Sequence, residues 1–195
     1  MPYRQAWDRQ LEEHERVLRG GPNQLLFVEH DPVLTLGAGF HEENLLLPRR
    51  EYERRGIELI DTDRGGDVTY HGPGQLVIYP IFNLSASKDL HAWLRALEQS
   101  MIDTLAALGV TARRFPPHTG AWVGDRKIAA IGIKVKRWVS LHGIALNCNN
   151  ALSVYDLFVP CGIQHFGVTS LSQELSREVN AREAQAHVIE AFKRL

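Results

Sequence analysis

The residue in this chain best suited to covalent chemistry is Cys161. It lies in Val159-Pro160-Cys161-Gly162-Ile163, a loop pattern flanked by proline and glycine. A structural cysteine more often sits inside a strand or helix, where it behaves as a small hydrophobe; loop position does not set a pKa, so local context leaves Cys161 either a nucleophile or an inert thiol. The other cysteine, Cys148, stands at a predicted strand end in Asn147-Cys148-Asn149 and reads as incidental. A thiol needs help at neutral pH, because its unperturbed pKa is about 8.5; lowering that to about 6.5 makes roughly three-quarters of it thiolate. The helper is either a histidine or a lysine. His71, His142 and His165 are the histidine candidates, and Lys127 and Lys134 the lysine candidates. Lys127 opens an otherwise apolar strand, Ile128 to Ile133. An ammonium there either faces a cleft or caps the strand in solvent. Residue types alone leave the base and the reaction open.

A second unusual stretch is Arg64–Gln75, RGGDVTYHGPGQ, followed by the apolar run Leu76 to Phe82. Glycine lets a backbone approach a ligand closely, and Gly72-Pro73-Gly74 is a strong turn signal. The stretch is either a loop that wraps a ligand or a tight connection between strands.

These groups must be held by the surrounding elements. Tyr3, Ala6, Trp7, Leu11, Val17 and Leu18 recur with helical spacing, and Gly20-Gly21-Pro22 ends that helix. Leu25–Glu29 and Val33–Leu36 read as strands joined by the turn signal Asp31-Pro32. Arg49–Arg55 reads as a short charged helix and Ile57–Ile60 as a strand. Gln75–Asn83 is apolar on both faces, the mark of a central strand, although Pro80 cannot donate to a ladder. Asp89–Leu108 is the clearest helix, with Leu90, Trp93, Leu94, Leu97, Met101, Leu105 and Leu108 on one face. Ala121–Val123, Lys127–Lys136 and Trp138–Asn147 read as successive strands, the first two joined at Gly124-Asp125. Ser153–Phe158 reads as one helical turn. Asn180 and Glu183 form a capping box for a last helix reaching about Leu195. Strands in hairpins and between helices predict one α+β domain over residues 1–195, a mixed sheet with packed helices.

Composition narrows the function classes. A formal net charge of −1 argues against strong attraction to nucleic acid or membrane. No apolar run approaches the roughly 20 residues that span a bilayer. The first fifteen residues lack the apolar core of a signal peptide, so the cytoplasm is the expected location. No two of the nine histidines are three or four positions apart, and no CxxC pair exists, so no metal or other cofactor is expected.

Three stretches in this order resemble the lipoyl(octanoyl) transferases of lipoate biosynthesis: RGGDVTYHGPGQLVIYPIFNL at 64–84, GAWVGDRKIAAIGIKVKRWVSLHGIALN at 120–147, and PCGI at 160–163. The resemblance implies the fold of the biotin/lipoate protein ligase catalytic domain. It assigns the acyl-accepting cysteine to Cys161 and the catalytic lysine to Lys127. It places substrate contacts at Arg64, Gly65, Gly66, Asp67, Val68, Thr69, Tyr70 and His71, at Ala130, Ile131 and Gly132, and at Gly143, Ile144 and Ala145. His71 then becomes a wall or orienting residue. The implied reaction moves an octanoyl group from octanoyl-acyl carrier protein to a lysine of a lipoyl domain or of glycine-cleavage H protein. It runs through a Cys161 thioester without ATP, in an enzyme expected to be a monomer. Arg49, Arg50, Arg54, Arg55, Arg113 and Arg114 are candidates for a surface that docks acidic partners. The alternatives are an ATP-dependent lipoate or biotin ligase, which needs no cysteine, and a non-catalytic acyl-binding module.

Overall fold

The computed structural model of the protein describes residues 1–160 and 166–195. Helix α1 (Tyr3–Leu18) buries Tyr3, Ala6, Gln10, His14 and Val17, a stripe at three- and four-residue spacing. Strands β1 (Gln24–Val28) and β2 (Val33–Leu36) follow. The turn at Asp31-Pro32 lies between them, yet they do not pair, and each joins a different sheet. Burial explains the divergence. β2 is buried at every position and takes the centre of a sheet, whereas β1 is half-buried throughout and forms an edge.

Helix α2 (Arg49–Arg54) leads to β3 (Glu58–Asp61) and β4 (Val68–His71). Strand β4 lies inside the glycine-rich stretch, which is therefore not a loop throughout. Its Val-Thr-Tyr-His run is β-branched and aromatic, and all four residues are buried. β2 pairs parallel with β3 and antiparallel with β4, making a small sheet of order β3-β2-β4. Leu34, Leu36, Tyr52, Val68, Tyr70 and Phe158 form its core.

The main sheet uses β5 (Gln75–Ile81), then, after α3 (Leu90–Ala107), strands β6 (Arg113–Phe115), β7 (His118–Val123), β8 (Arg126–Lys136) and β9 (Val139–Asn147). Its order is β1-β5-β9-β8-β7-β6, antiparallel throughout, and β10 (Gly167–Val168) adds to β8 in parallel. Helices α4 (Leu171–Leu175) and α5 (Ala181–Phe192) complete the chain. The expected α+β mixed-sheet architecture is thus observed. Among the described residues no helix is long and apolar enough to cross a membrane.

Alternation along the strands splits the main sheet into two faces. Leu76, Ile78, Ala129, Ile133, Ile144 and Leu146 share one core with Trp93, Leu97, Met101 and Leu105 of α3 and with Ala184, Val188 and Phe192 of α5. Each large side chain buried there contributes about 1.5–3 kcal/mol. Leu90 leaves the predicted stripe and is 43% exposed. At the start of α5 the Asn180 side chain accepts the Glu183 N–H, but the Glu183 carboxylate pairs with Arg177, so half of the capping box forms. Val77, Tyr79, Leu141 and Ala145 take the opposite face of the sheet, against Ala6 and Val17 of α1.

Pro80 shapes that face. The β5–β9 ladder runs from Gln75↔Asn147 to Ile78↔Ile144, short of the proline. Beyond it, Ser140 Oγ donates to Pro80 O at 2.6 Å. Gly143 sits at the closest approach: a Cβ there would lie 2.1 Å from Ile78 O and 2.6 Å from Pro80 Cδ. Only glycine fits the crossing.

Candidate active site

Lys127 is aimed by an irregularity in β8. Ala121 pairs with Ala129 but Trp122 pairs with Lys127, so Ile128 is one residue too many, a β-bulge. Ile128 and Ala129 are both buried in the α3/α5 core. The alternation is reset, and Lys127 faces the same side as Ala130, with which it lines two cavities. Lys127 Nζ stands 4.9 Å from the centroid of the buried Trp122 ring, a cation–π distance. β10 fixes the lysine's backbone through the pair Val168↔Lys127 and a 3.0 Å bond from Thr169 N to Lys127 O.

Cys161, Gly162 and His165 lie outside the described residues. Their flanks do not. Pro160 and Phe166 both line a cavity with Lys127 and Trp122. Phe166 packs against Phe115, His118 and Trp122 at centroid distances of 5.0, 5.4 and 5.7 Å. Cys148 is fully buried in the α3/α5 core, and desolvation pushes its thiol up to about 12. Burial makes it inert.

From Lys127 a trough of small residues crosses the sheet. Ala130 and Gly132 of β8 pair with Ala145 and Gly143 of β9, and Ala145 pairs in turn with Val77 of β5. Arg64, Gly65, Gly66, Thr69 and His71 roof this trough, enclosing a narrow cavity. The roof is seated on the floor: Gly65 N donates to Ile133 O at 2.8 Å, and a Cβ on Gly132 would lie 2.9 Å from Gly65 O. An open groove of about 370 Å³, bordered by Leu90, Leu94, Pro117 and His118, meets the cavity at Gly65, Gly66, Ala130 and Gly132 and reaches Lys127.

The predicted contact residues do not all reach this space. Arg64, Gly65, Gly66, Thr69, His71, Ala130, Gly132, Gly143 and Ala145 line it. Ile131 and Ile144 border it too, although their side chains pack in the α3/α5 core. Val68 and Tyr70 turn the other way, into the small sheet's core, because alternate residues of β4 face opposite sides. Asp67 is buried beside them, accepting bonds from Asn44 Nδ2 at 2.5 Å and Val68 N at 2.7 Å. The buried Arg64 guanidinium donates to Thr35 Oγ1, Thr35 O and Asp67 O, and so fixes the shape of the glycine turn.

Hydrogen-bond partners assign the tautomers of three buried histidines. His71 Nδ1–H donates to Gln75 Oε1 at 2.8 Å. Gln75 Nε2 in turn donates to Asn147 Oδ1 and Tyr155 Oη, so its oxygen is the acceptor. His30 Nδ1–H donates to Met1 O at 3.1 Å, leaving Nε2 to accept from Tyr79 Oη at 2.7 Å. His142 Nε2–H donates to Asp63 Oδ1 at 2.8 Å, leaving Nδ1 to accept from Tyr3 Oη at 3.3 Å. Desolvation lowers His71 well below the ordinary histidine range, His30 to about 4, and His142 in the same direction. His71 and His142 are thus neutral and engaged in the fold. Of the bases left open by residue type, Lys127 is the one among the described residues that lines the open groove; Lys134 is exposed farther along β8.

Tyr3, His30, Val77 and Tyr79 were not among the residues expected at the site, though Tyr3, Val77 and Tyr79 line the cavity. A signal did exist. A tyrosine in a strand apolar on both faces needs a buried partner for its hydroxyl.

The fold is that of the lipoate protein ligases. The structure of Ta0514, a putative lipoate protein ligase from T. acidophilum with bound lipoic acid, superimposes with a TM-score of 0.76 at 18% identity, over 96% of this chain and 80% of that one. A lipoate-protein ligase A bound with ATP gives a TM-score of 0.77 at 18% identity, over 94% and 78%. In sequence, an octanoyltransferase of Rubrobacter xylanophilus is 45% identical over 98% of this chain and 88% of its own. The chain belongs to the lipoyl protein ligase A/B catalytic domain family, whose model matches residues 2–193, and to the octanoyltransferases within it.

Proposed function

We propose that this protein transfers an octanoyl group from octanoyl-acyl carrier protein to a lysine of a lipoyl domain or of glycine-cleavage H protein. The observation that carries this reading is the position of Lys127, which shares a cavity with Pro160 and Phe166, the residues on either side of the Cys161 segment. The Lys127 ammonium favours the Cys161 thiolate. The thiolate sulfur attacks the thioester carbonyl carbon. A new C–S bond to Cys161 forms, the carrier's C–S bond breaks, and the carrier leaves as a thiol with the proton from Lys127. The acceptor's amine then attacks the octanoyl-Cys161 carbonyl, Lys127 takes its proton, and C–N formation expels the Cys161 thiolate. Backbone N–H groups near Gly162 are the candidates for holding the oxyanion.

The trough suits the acyl chain. Glycine and alanine on β8 and β9 leave room that larger side chains would fill. Burying six methylenes at about 0.8 kcal/mol each gives an upper figure of roughly 5 kcal/mol, enough to position the reacting thioester. The competing ligase reading predicts dependence on ATP. Mixing the protein with octanoyl-carrier protein and a lipoyl domain, without nucleotide, decides between them. The expected result is octanoylated domain by mass, abolished in Cys161→Ala. Product formed only with ATP and free octanoate, or undiminished in Cys161→Ala, would overturn the proposal.

A further inference from the structure

We propose that Tyr3, on the first turn of α1, is the end stop that sets acyl-chain length, and that His142 and Asp63 hold it in place. This inference rests on the acyl-transfer reading above. The cavity starts at Ala130 and Gly132, where it meets the open groove, and includes Val77, Tyr79, His71 and Tyr3. From β8 to β5 is two interstrand spacings, about 10 Å. An extended octanoyl chain is of that order.

The residues at the far end are polar by type, but their polar atoms are bonded to the protein. Tyr79 Oη is bonded to His30, His71 Nδ1 to Gln75, and Tyr3 Oη to His142. What remains to meet a terminal methyl is ring surface, with Tyr3 and His71 stacked at 6.0 Å and 9°. Tyr3 is 1% exposed, so its ring is not itself reached by solvent.

The Tyr3 ring is fixed from behind. Asp63 accepts from His142, and His142 accepts from Tyr3. His142 holds this bridging position at φ +57°, a left-handed backbone uncommon outside glycine, in which histidine, asparagine and aspartate are the more frequent exceptions. Gln10 Oε1 accepts its backbone N–H at 2.8 Å, so α1 is latched to β9 at the same point. His142 is a positioning residue. It lies behind Tyr3 and is not among the residues lining the cavity.

Two binding measurements test this without needing turnover. The first is isothermal titration of free fatty acids of increasing length. Tyr3→Leu should raise the ratio of decanoate to octanoate affinity about tenfold, two methylenes' worth of burial, and Tyr3→Phe, which keeps the ring but loses the bond to His142, should raise it by less. His142→Asn tolerates the left-handed backbone but cannot span Tyr3 and Asp63, and should move the ratio the same way. An unchanged ratio in Tyr3→Leu overturns the end stop, and an unchanged ratio in His142→Asn removes His142 from its role. The second uses the wild-type protein, so a variant that fails to fold does not matter. In crystals with 7-bromoheptanoate, the bromine stands where the terminal methyl would be. Its anomalous peak should lie against the Tyr3 and Tyr79 rings; a peak in the groove by Leu90 and Leu94 overturns the proposal. Absence of octanoyl transfer in a separate assay would sink the enzymatic reading while leaving both binding results readable.

Discussion

At the scale of single residues, charge state separates groups that can react from groups that hold the fold. Lys127 lines the groove and a small cavity beside Pro160, with its ammonium over the Trp122 ring. If it favours the Cys161 thiolate, Lys127→Ala should raise the apparent pKa of Cys161 alkylation by about one unit or more. An unchanged rate-against-pH profile would remove Lys127 from that role. Cys148 should not contribute to the same experiment. Its thiol is pushed up to about 12 by burial, and it should react only after denaturation, as peptide mapping of alkylated protein would show. His30 gives a pH signature. Its folded pKa, about 4, lies below the unfolded value of 6.5. Between those values the unfolded chain binds a proton that the folded one does not, so stability is full above about pH 6.5 and falls as pH drops toward 4. A shift of this size corresponds to about 3 kcal/mol. Urea midpoints between pH 7.5 and 4.5 should fall less steeply in His30→Gln than in the wild type.

At the scale of elements, the site is made where β8, β9 and the glycine turn meet. Gly143→Ala puts a Cβ 2.1 Å from a main-chain oxygen, and backbone cannot yield as a flexible side chain can. It should destabilise the protein by about 1–3 kcal/mol or more, read from thermal or urea unfolding. A neutral result would mean that the β5–β9 crossing is wider than described. Much of this geometry was legible in the sequence. The α3 stripe, the three consecutive strands β7 to β9 and the Asn180 cap follow from periodicity and turn chemistry. Three features were not. Strict alternation along β8 puts Lys127 on the core side with Ala129, and a bulge at Ile128 leaves no mark in a run of apolar residues. β4 is four residues long and hidden among glycines. The pairing of Tyr3 with His142 joins positions 139 apart, which no local pattern announces. Residue types leave the base open, and only the resemblance to the lipoyl(octanoyl) transferases singles out Lys127 with Cys161.

At the scale of the whole molecule, the fold gives two walls and a seam. The main sheet is one wall, the small sheet with its glycine turn is the other, and α1 closes the space between them at Tyr3. The surface charges are less one-sided than the arginine-rich sequence suggested. Arg49 pairs with Glu42, Arg54 and Arg55 with Glu51, and Arg114 with Glu98, so neighbouring carboxylates offset much of the expected docking charge. Among the described residues Arg50 and Arg113 have no such carboxylate partner, so Arg113→Glu and Arg50→Glu are the substitutions that should weaken carrier binding in low salt; titration against the carrier at two ionic strengths checks this. The transfer reaction proposed above depends on a covalent intermediate on Cys161. Intact-mass analysis after mixing the protein with octanoyl-carrier protein alone, without ATP or acceptor, tests it most directly. The expected mass gain is one octanoyl group, mapped to the Cys161 peptide and removed by adding a lipoyl domain. An unmodified mass under conditions that support transfer, or an adduct mapped elsewhere, would contradict it.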